Sequence, residues 1–96
     1  MTIKLIRMSS GEDVIATVVG EVEDAIHIKN AIVLVPTGNN QLGFAPWSPV
    51  LHQEVEYVEV FKTFIVYVSV PNNNIVEQYQ SIFAKIVTPP EKKLIL

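Results

Sequence analysis

The chain has no cysteine, which excludes disulfides and thiolate metal sites and leaves the redox compartment unread. Charge is scarce: 18% of the 96 residues are acidic or basic, against about 25% in an average soluble domain. Basic charge is scarcer still, with seven Lys and Arg against ten Asp and Glu, for a formal net charge of −3. Proteins that hold duplex DNA through its phosphates are basic, so a nucleic-acid contact here has to be local, or repeated by symmetry. No apolar run reaches the ~18 residues that mark a membrane helix. No charged-then-apolar leader or twin-arginine start is present. The expectation is a soluble cytoplasmic protein with no membrane partner.

Catalytic patterns are lacking too. Ser9-Ser10-Gly11 has no nucleophile-elbow context, and there is no phosphate loop and no GxGxxG. Glu54, Glu56 and Glu59 alternate along the chain, as a solvated strand face does, rather than forming a catalytic carboxylate pair. His27 and His52 have no metal-ligand spacing. The expectation is therefore a non-enzyme with no metal and no cofactor.

What is present is apolar surface: 49% of the residues. Ninety-six residues make one domain, and a chain of this size buries only about two thirds of its unfolded surface. The surplus predicts burial against another copy, hence a homo-oligomer.

Residues 3–8 alternate, with Ile3, Leu5 and Arg7 on one face and Lys4, Ile6 and Met8 on the other, a strand covered on both sides. Ser9-Ser10-Gly11-Glu12 reads as a turn. Residues 13–19 return as a second strand, and Gly20 marks a bend or bulge. Glu21 to Asp24 end in an acidic turn. Residues 25–29 put Ile26 and Ile28 on one face and His27 and Lys29 on the other. Residues 31–35 form a second apolar piece, either a separate strand or a continuation of the first with a bend at Asn30. Residues 36–40 read as a loop. In 42–50, Phe44 and Trp47 favour a strand, whereas Pro46 and Pro49 demand an edge, bulge or kink. Residues 56–60 alternate again. Residues 64–70 are almost all β-branched or aromatic, as in a strand covered on both faces.

Pro71 stops the sheet, and Asn72-Asn73-Asn74 offers a helix N-cap. Ile75, Tyr79, Ile82, Phe83 and Ile86 form one helical stripe, and Glu77 is placed in the first turn, where it suits the macrodipole. Pro89-Pro90 ends the helix ahead of the apolar Leu94-Ile95-Leu96. The reading is mainly β: a small, strongly bent, five-stranded antiparallel open barrel over 1–70, a C-terminal helix over 72–88 and a tail over 89–96.

The order of these pieces resembles the Sm-like family, bacterial Hfq included. Gly11, Val14, Ala16, Val18, Asp24, Ile26, Ile28 and Asn30 correspond to its first motif. Val60, Phe61-Lys62-Thr63 and the strand 65–68 correspond to the second, with Thr63 where Hfq has histidine. In this sequence the helix follows the barrel instead of preceding it. The GEDVIA turn, the FAPW-x-P run and the capped helix with its tyrosine also resemble small proteins of marine tailed phages, cyanophages among them. That second resemblance implies a viral source and the host cytoplasm.

The Sm-like resemblance implies a closed ring of roughly five to eight subunits, because its strand-edge contact is heterologous. Phe44, Trp47, Phe64, Val66 and Val68 are then candidate interface residues. It implies single-stranded RNA at the pore face, with Asp24, His27, Asn30, Phe61, Lys62 and Thr63 as candidate contacts: Lys62 for phosphate, Phe61 for base stacking, His27 and Asn30 for base edges. The alternative is a phage structural or assembly protein using the same ring with no nucleic-acid ligand.

Overall fold

The computed structural model describes residues 2–38, 41–47 and 55–87, with side chains up to Phe83. Six antiparallel strands and one helix follow in chain order: β1 (Thr2–Met8), β2 (Asp13–Glu21), β3 (Ala25–Gly38), β4 (Gln41–Pro46), β5 (Val58–Phe61), a 3-10 turn (Lys62–Phe64), β6 (Ile65–Ser69) and α1 (Asn73–Val87). The hydrogen-bonded order is β4-β3-β2-β1-β6, with β5 also on β3. β5 pairs the first part of β3, Ala25–Ile28, and β4 pairs the later part, from Ile32 on.

This connectivity forces curvature. β5 and β6 belong to opposite margins of the sheet, yet only Lys62–Phe64 separate them. The sheet must curl until its margins approach. No ladder joins β5 to β6, so the sheet is not closed. The curl is built from bulges, which bend a strand and increase its twist. The β2–β3 register shifts between Ile15 and Thr17 and again between Val18 and Gly20. Opposite the first shift, Asn30 takes φ 55, a left-handed conformation that asparagine tolerates better than most residues. The predicted bend at Asn30 and irregularity at Gly20 are both present.

Alternation along the strands sorts two apolar layers. Ile6, Met8, Val14, Ala16, Ile26, Ile28 and Val60 form one cluster. Ile15, Ile32 and Tyr79 form the other, with Ile3, Leu5, Leu34, Phe44, Ile75, Ile82 and Phe83 packed around them. The split of residues 3–8 into two faces holds, and so does the helical stripe as far as Phe83. Ile86 lies beyond the described side chains. Arg7 and Asp13 are direct partners across β1 and β2, and their side chains form a forked ion pair at 2.6 and 3.2 Å.

Four expectations change. Residues 36–38 belong to β3, not to a loop, because β4 pairs with them through Pro36 and Leu42. Proline is tolerated there because β2 no longer flanks β3 beyond Leu34, leaving its missing N–H on an open side. Asn39 and Asn40 lie outside the described residues. Among the described residues there are six strands where five were expected, because β4 and β5 share one edge of β3 as separate segments. The last strand is not covered on both faces. Phe64, Val66, Tyr67, Val68 and Val70 are 44–70% exposed, because β6 is a margin strand whose one partner among the described residues is β1. Finally, Glu77 is outside the first turn. The helix begins at Asn73, its first turn carries no acid, and the Asn72 side chain caps it by accepting from the Ile75 N–H at 2.9 Å.

Candidate functional site

The 3-10 turn that crosses from β5 to β6 is held at both ends. The Lys62 N–H donates to the Asp24 carbonyl at 2.9 Å, and the Ser9 N–H donates to the Phe64 carbonyl at 2.7 Å. The turn is thereby fastened to the β2–β3 turn on one side and to the β1–β2 turn on the other. Ala25 pairs with Phe61. Asp24, Phe61, Lys62 and Thr63 therefore meet at one rim of the curled sheet. Asp24 and Thr63 are exposed, and Phe61 keeps 47% of its surface open.

Lys62 is not a free cation. Its ammonium lies 2.6 Å from Glu21 Oε2, and this contact holds the Glu21 carboxyl below the usual carboxylate range, first by hydrogen bonding and then by charge. Beneath the pair, Lys4, Glu21 and Lys62 line a cavity of about 360 Å³ floored by Val18, Ile26, Ile65 and Val68. Two lysines against one glutamate leave this opening one positive charge in excess, within a chain of net charge −3.

His27 sits further along the same pair of strands, directly opposite Glu59. Its Nε2 lies 3.0 Å from Glu59 Oε2, and its ring stacks on Tyr57 with centroids 4.3 Å apart. One flat face and one ring nitrogen of this imidazole are thus engaged within the chain. Gly20 faces it closely: a Cβ there would come 3.3 Å from His27 Nδ1.

Asn30 is separate from the rim. At the β3 bend its carbonyl accepts from the Tyr79 hydroxyl at 2.9 Å, and the same hydroxyl lies 2.9 Å from Thr17 Oγ1. A phenol has one proton. It goes to the Asn30 carbonyl, so the Thr17 hydroxyl must donate to the phenol oxygen. Burial pushes the Tyr79 pKa up, against a smaller opposing effect of the Thr17 bond. Tyr79 is a packing residue that fixes the bend.

The candidate interface residues divide in two. Phe44 packs under α1 and Trp47 packs on the Ile6–Val60 cluster, so both are half-buried in their own chain. Phe64, Val66 and Val68 are exposed at 57%, 63% and 45%. Pro49, His52 and Glu54 lie outside the described residues. Among the described residues no group of three His, Asp or Glu side chains is placed to hold a metal, and no helix is long and apolar enough to cross a membrane.

Sequence reasoning missed Glu21, Lys4 and Tyr57. Glu21 and Lys62 are 41 residues apart, and the pairing of Ala25 with Phe61 is what joins them. Tyr57 did carry a local signal: in the alternating run it shares a face with Glu59, the partner of His27. No family model matches the chain, and no curated protein matches it.

Proposed function

We infer that the chain is a ring-forming Sm-like protein with no enzymatic activity, whose assembled subunits hold single-stranded RNA weakly at the rim around Lys62. On this reading β4 and β5 are one interrupted strand along a single edge of β3, which turns six segments into a five-stranded bent barrel. The observation that carries the assembly is the pair of margins β5 and β6, whose outer edges have no partner among the described residues, the second bearing exposed Phe64, Val66 and Val68. Open edges invite pairing with another chain. Joining β5 of one subunit to β6 of the next is a heterologous contact, which must close into a ring or run on as a filament. Closure repeats the rim once per subunit.

The RNA part is supported by exposed Phe61 beside Lys62 and by the local excess of positive charge at the Lys4–Glu21–Lys62 opening. A base stacked on an aromatic ring contributes roughly 1–3 kcal/mol in other systems. A second reading, a phage structural or assembly protein with no nucleic-acid ligand, is favoured by the Glu21 carboxylate that already neutralises Lys62.

Light scattering after size exclusion, with and without a short uridine- or adenine-rich RNA, tests both parts. The expected result is a multi-subunit mass that takes up RNA, more weakly as salt rises. Lys62→Ala is expected to abolish uptake without changing that mass, and Glu21→Gln to strengthen uptake by freeing the ammonium. A ring that ignores RNA selects the structural reading, and a clean monomer removes the assembly itself.

A further inference from the structure

Lys4 occupies a strand face that is otherwise core. It alternates in step with Ile6 and Met8, both members of the buried Ile6–Val60 cluster, and it pairs with Ala16, which is fully buried. The described ion pairs are Arg7–Asp13, His27–Glu59 and Lys62–Glu21, so among the described residues Lys4 has no carboxylate partner. It lines, with Lys62 and Glu21, the cavity of about 360 Å³ floored by Val18, Ile26, Ile65 and Val68. That floor is an outward continuation of the core. Ile26 belongs to the buried cluster, Val18 and Ile65 pack against it, and Val68 stands directly opposite Ile6 across β1 and β6.

An aliphatic floor beneath an excess of one positive charge sets the chemistry of a ligand. Small-molecule sites have this form: mostly apolar walls and a few placed polar groups that fix orientation. An ammonium has three donors. The Glu21 contact uses one of those on Lys62, so both lysines can donate to one further anion. A single negative charge balances the site. A phosphate monoester, with a charge of about −1.5 to −2, would leave it negative beside Glu21. The groove beside α1 offers the contrast. It is larger, about 490 Å³, but no charged residue lines it, so it has nothing to favour an anionic head.

We propose that the Lys4–Lys62 cavity binds an aliphatic monocarboxylate, its tail on the Val18–Ile26–Ile65–Val68 floor and its carboxylate accepting from both ammonium groups. An apolar cavity of about 150 Å³ accepts a benzene molecule, so this one takes a tail of about eight carbons. Every lining residue comes from one chain, so the proposal stands whether or not the chain forms a ring or holds RNA.

Methyl-resolved NMR titrations of the full chain with hexanoate, octanoate and octanol test it. Octanoate is expected to shift the methyl signals of Val18, Ile26, Ile65 and Val68. Its affinity should exceed that of hexanoate by about fourfold for each added methylene that the floor buries. Octanol keeps the tail without the charge and is expected to bind there about fivefold more weakly. Lys4→Met keeps an apolar stem on β1 and removes the ammonium. It is expected to weaken octanoate about fivefold and leave octanol unchanged, a split that general loss of structure would not produce. Equal binding of octanoate and octanol at this site overturns the proposal, and so does an affinity indifferent to tail length. Shifts confined to Ala31, Ala45 and Ile82 also overturn it, because they assign the tail to the groove beside α1, as does the absence of any shift.

Discussion

At the residue scale, two side chains far apart in sequence fix the curvature of the sheet. Asn30 holds φ 55 in the middle of β3, and Tyr79 grips its carbonyl from the helix. A β-branched residue in the left-handed region costs roughly 1–2 kcal/mol. Asn30→Val is therefore expected to lower unfolding stability by about that amount, and Asn30→Gly by clearly less, as read from urea midpoints. Tyr79→Phe leaves the Asn30 carbonyl and the Thr17 hydroxyl without their partner and is expected to cost about 1–2 kcal/mol. Its effect is pH-dependent. Burial raises the phenol pKa in the folded state above its ordinary value of 10.0. The neutral phenol's contribution is complete below that value and is lost as pH rises through the folded one. The stability gap between the natural chain and Tyr79→Phe should thus be widest at neutral pH and shrink above pH 10.0. A gap that widens in alkali would contradict the burial argument.

At the element scale, the helix depends on its first residue outside. Asn72 accepts from the Ile75 N–H, satisfying one of the donors that a helix start leaves unpaired. Asn72→Ala is expected to destabilise the protein by about 1 kcal/mol, with Asn72→Asp close to neutral; equal midpoints for Ala and Asn would show the cap to be dispensable. This cap was legible because three asparagines stand directly after Pro71. The strand faces were legible for the same kind of reason: alternation is local, and Ile6, Met8, Ile26 and Ile28 fell where it put them. Pro36 and Gly38 misled because they carry turn chemistry, while β4 recruits them as the open-sided end of β3. The rim was half legible. Asp24, Phe61, Lys62 and Thr63 do meet, but the ion pair that quiets Lys62 spans 41 residues and depends on a strand register that no local pattern encodes. Asn30, grouped with them by resemblance, instead serves the bend.

At the scale of the whole molecule, the last strand carries the argument for assembly. A run such as Ile65-Val66-Tyr67-Val68 reads as core in any single chain, yet only Ile65 packs on a core cluster, and Val66, Tyr67 and Val68 are 44–63% exposed. Full burial of a valine side chain is favourable by roughly 1.5 kcal/mol or more, so on the ring reading the exposed Val66 and Val68, with Phe64 beside them, supply the driving force for a second chain to pack there. The margin also keeps unpaired backbone groups available for a β5 strand. Val66→Lys with Val68→Lys places charge on this exposed strand, the device by which edges are commonly protected. Neither side chain belongs to the buried clusters, so the single chain is expected to keep its circular dichroism. The assembled mass is expected to fall to that of one or two subunits, and the loss should not be rescued by RNA. A double variant that stays fully assembled would move the contact away from β6, leaving the outer edge of β4 as the margin to examine next, with Leu42 as its exposed apolar residue.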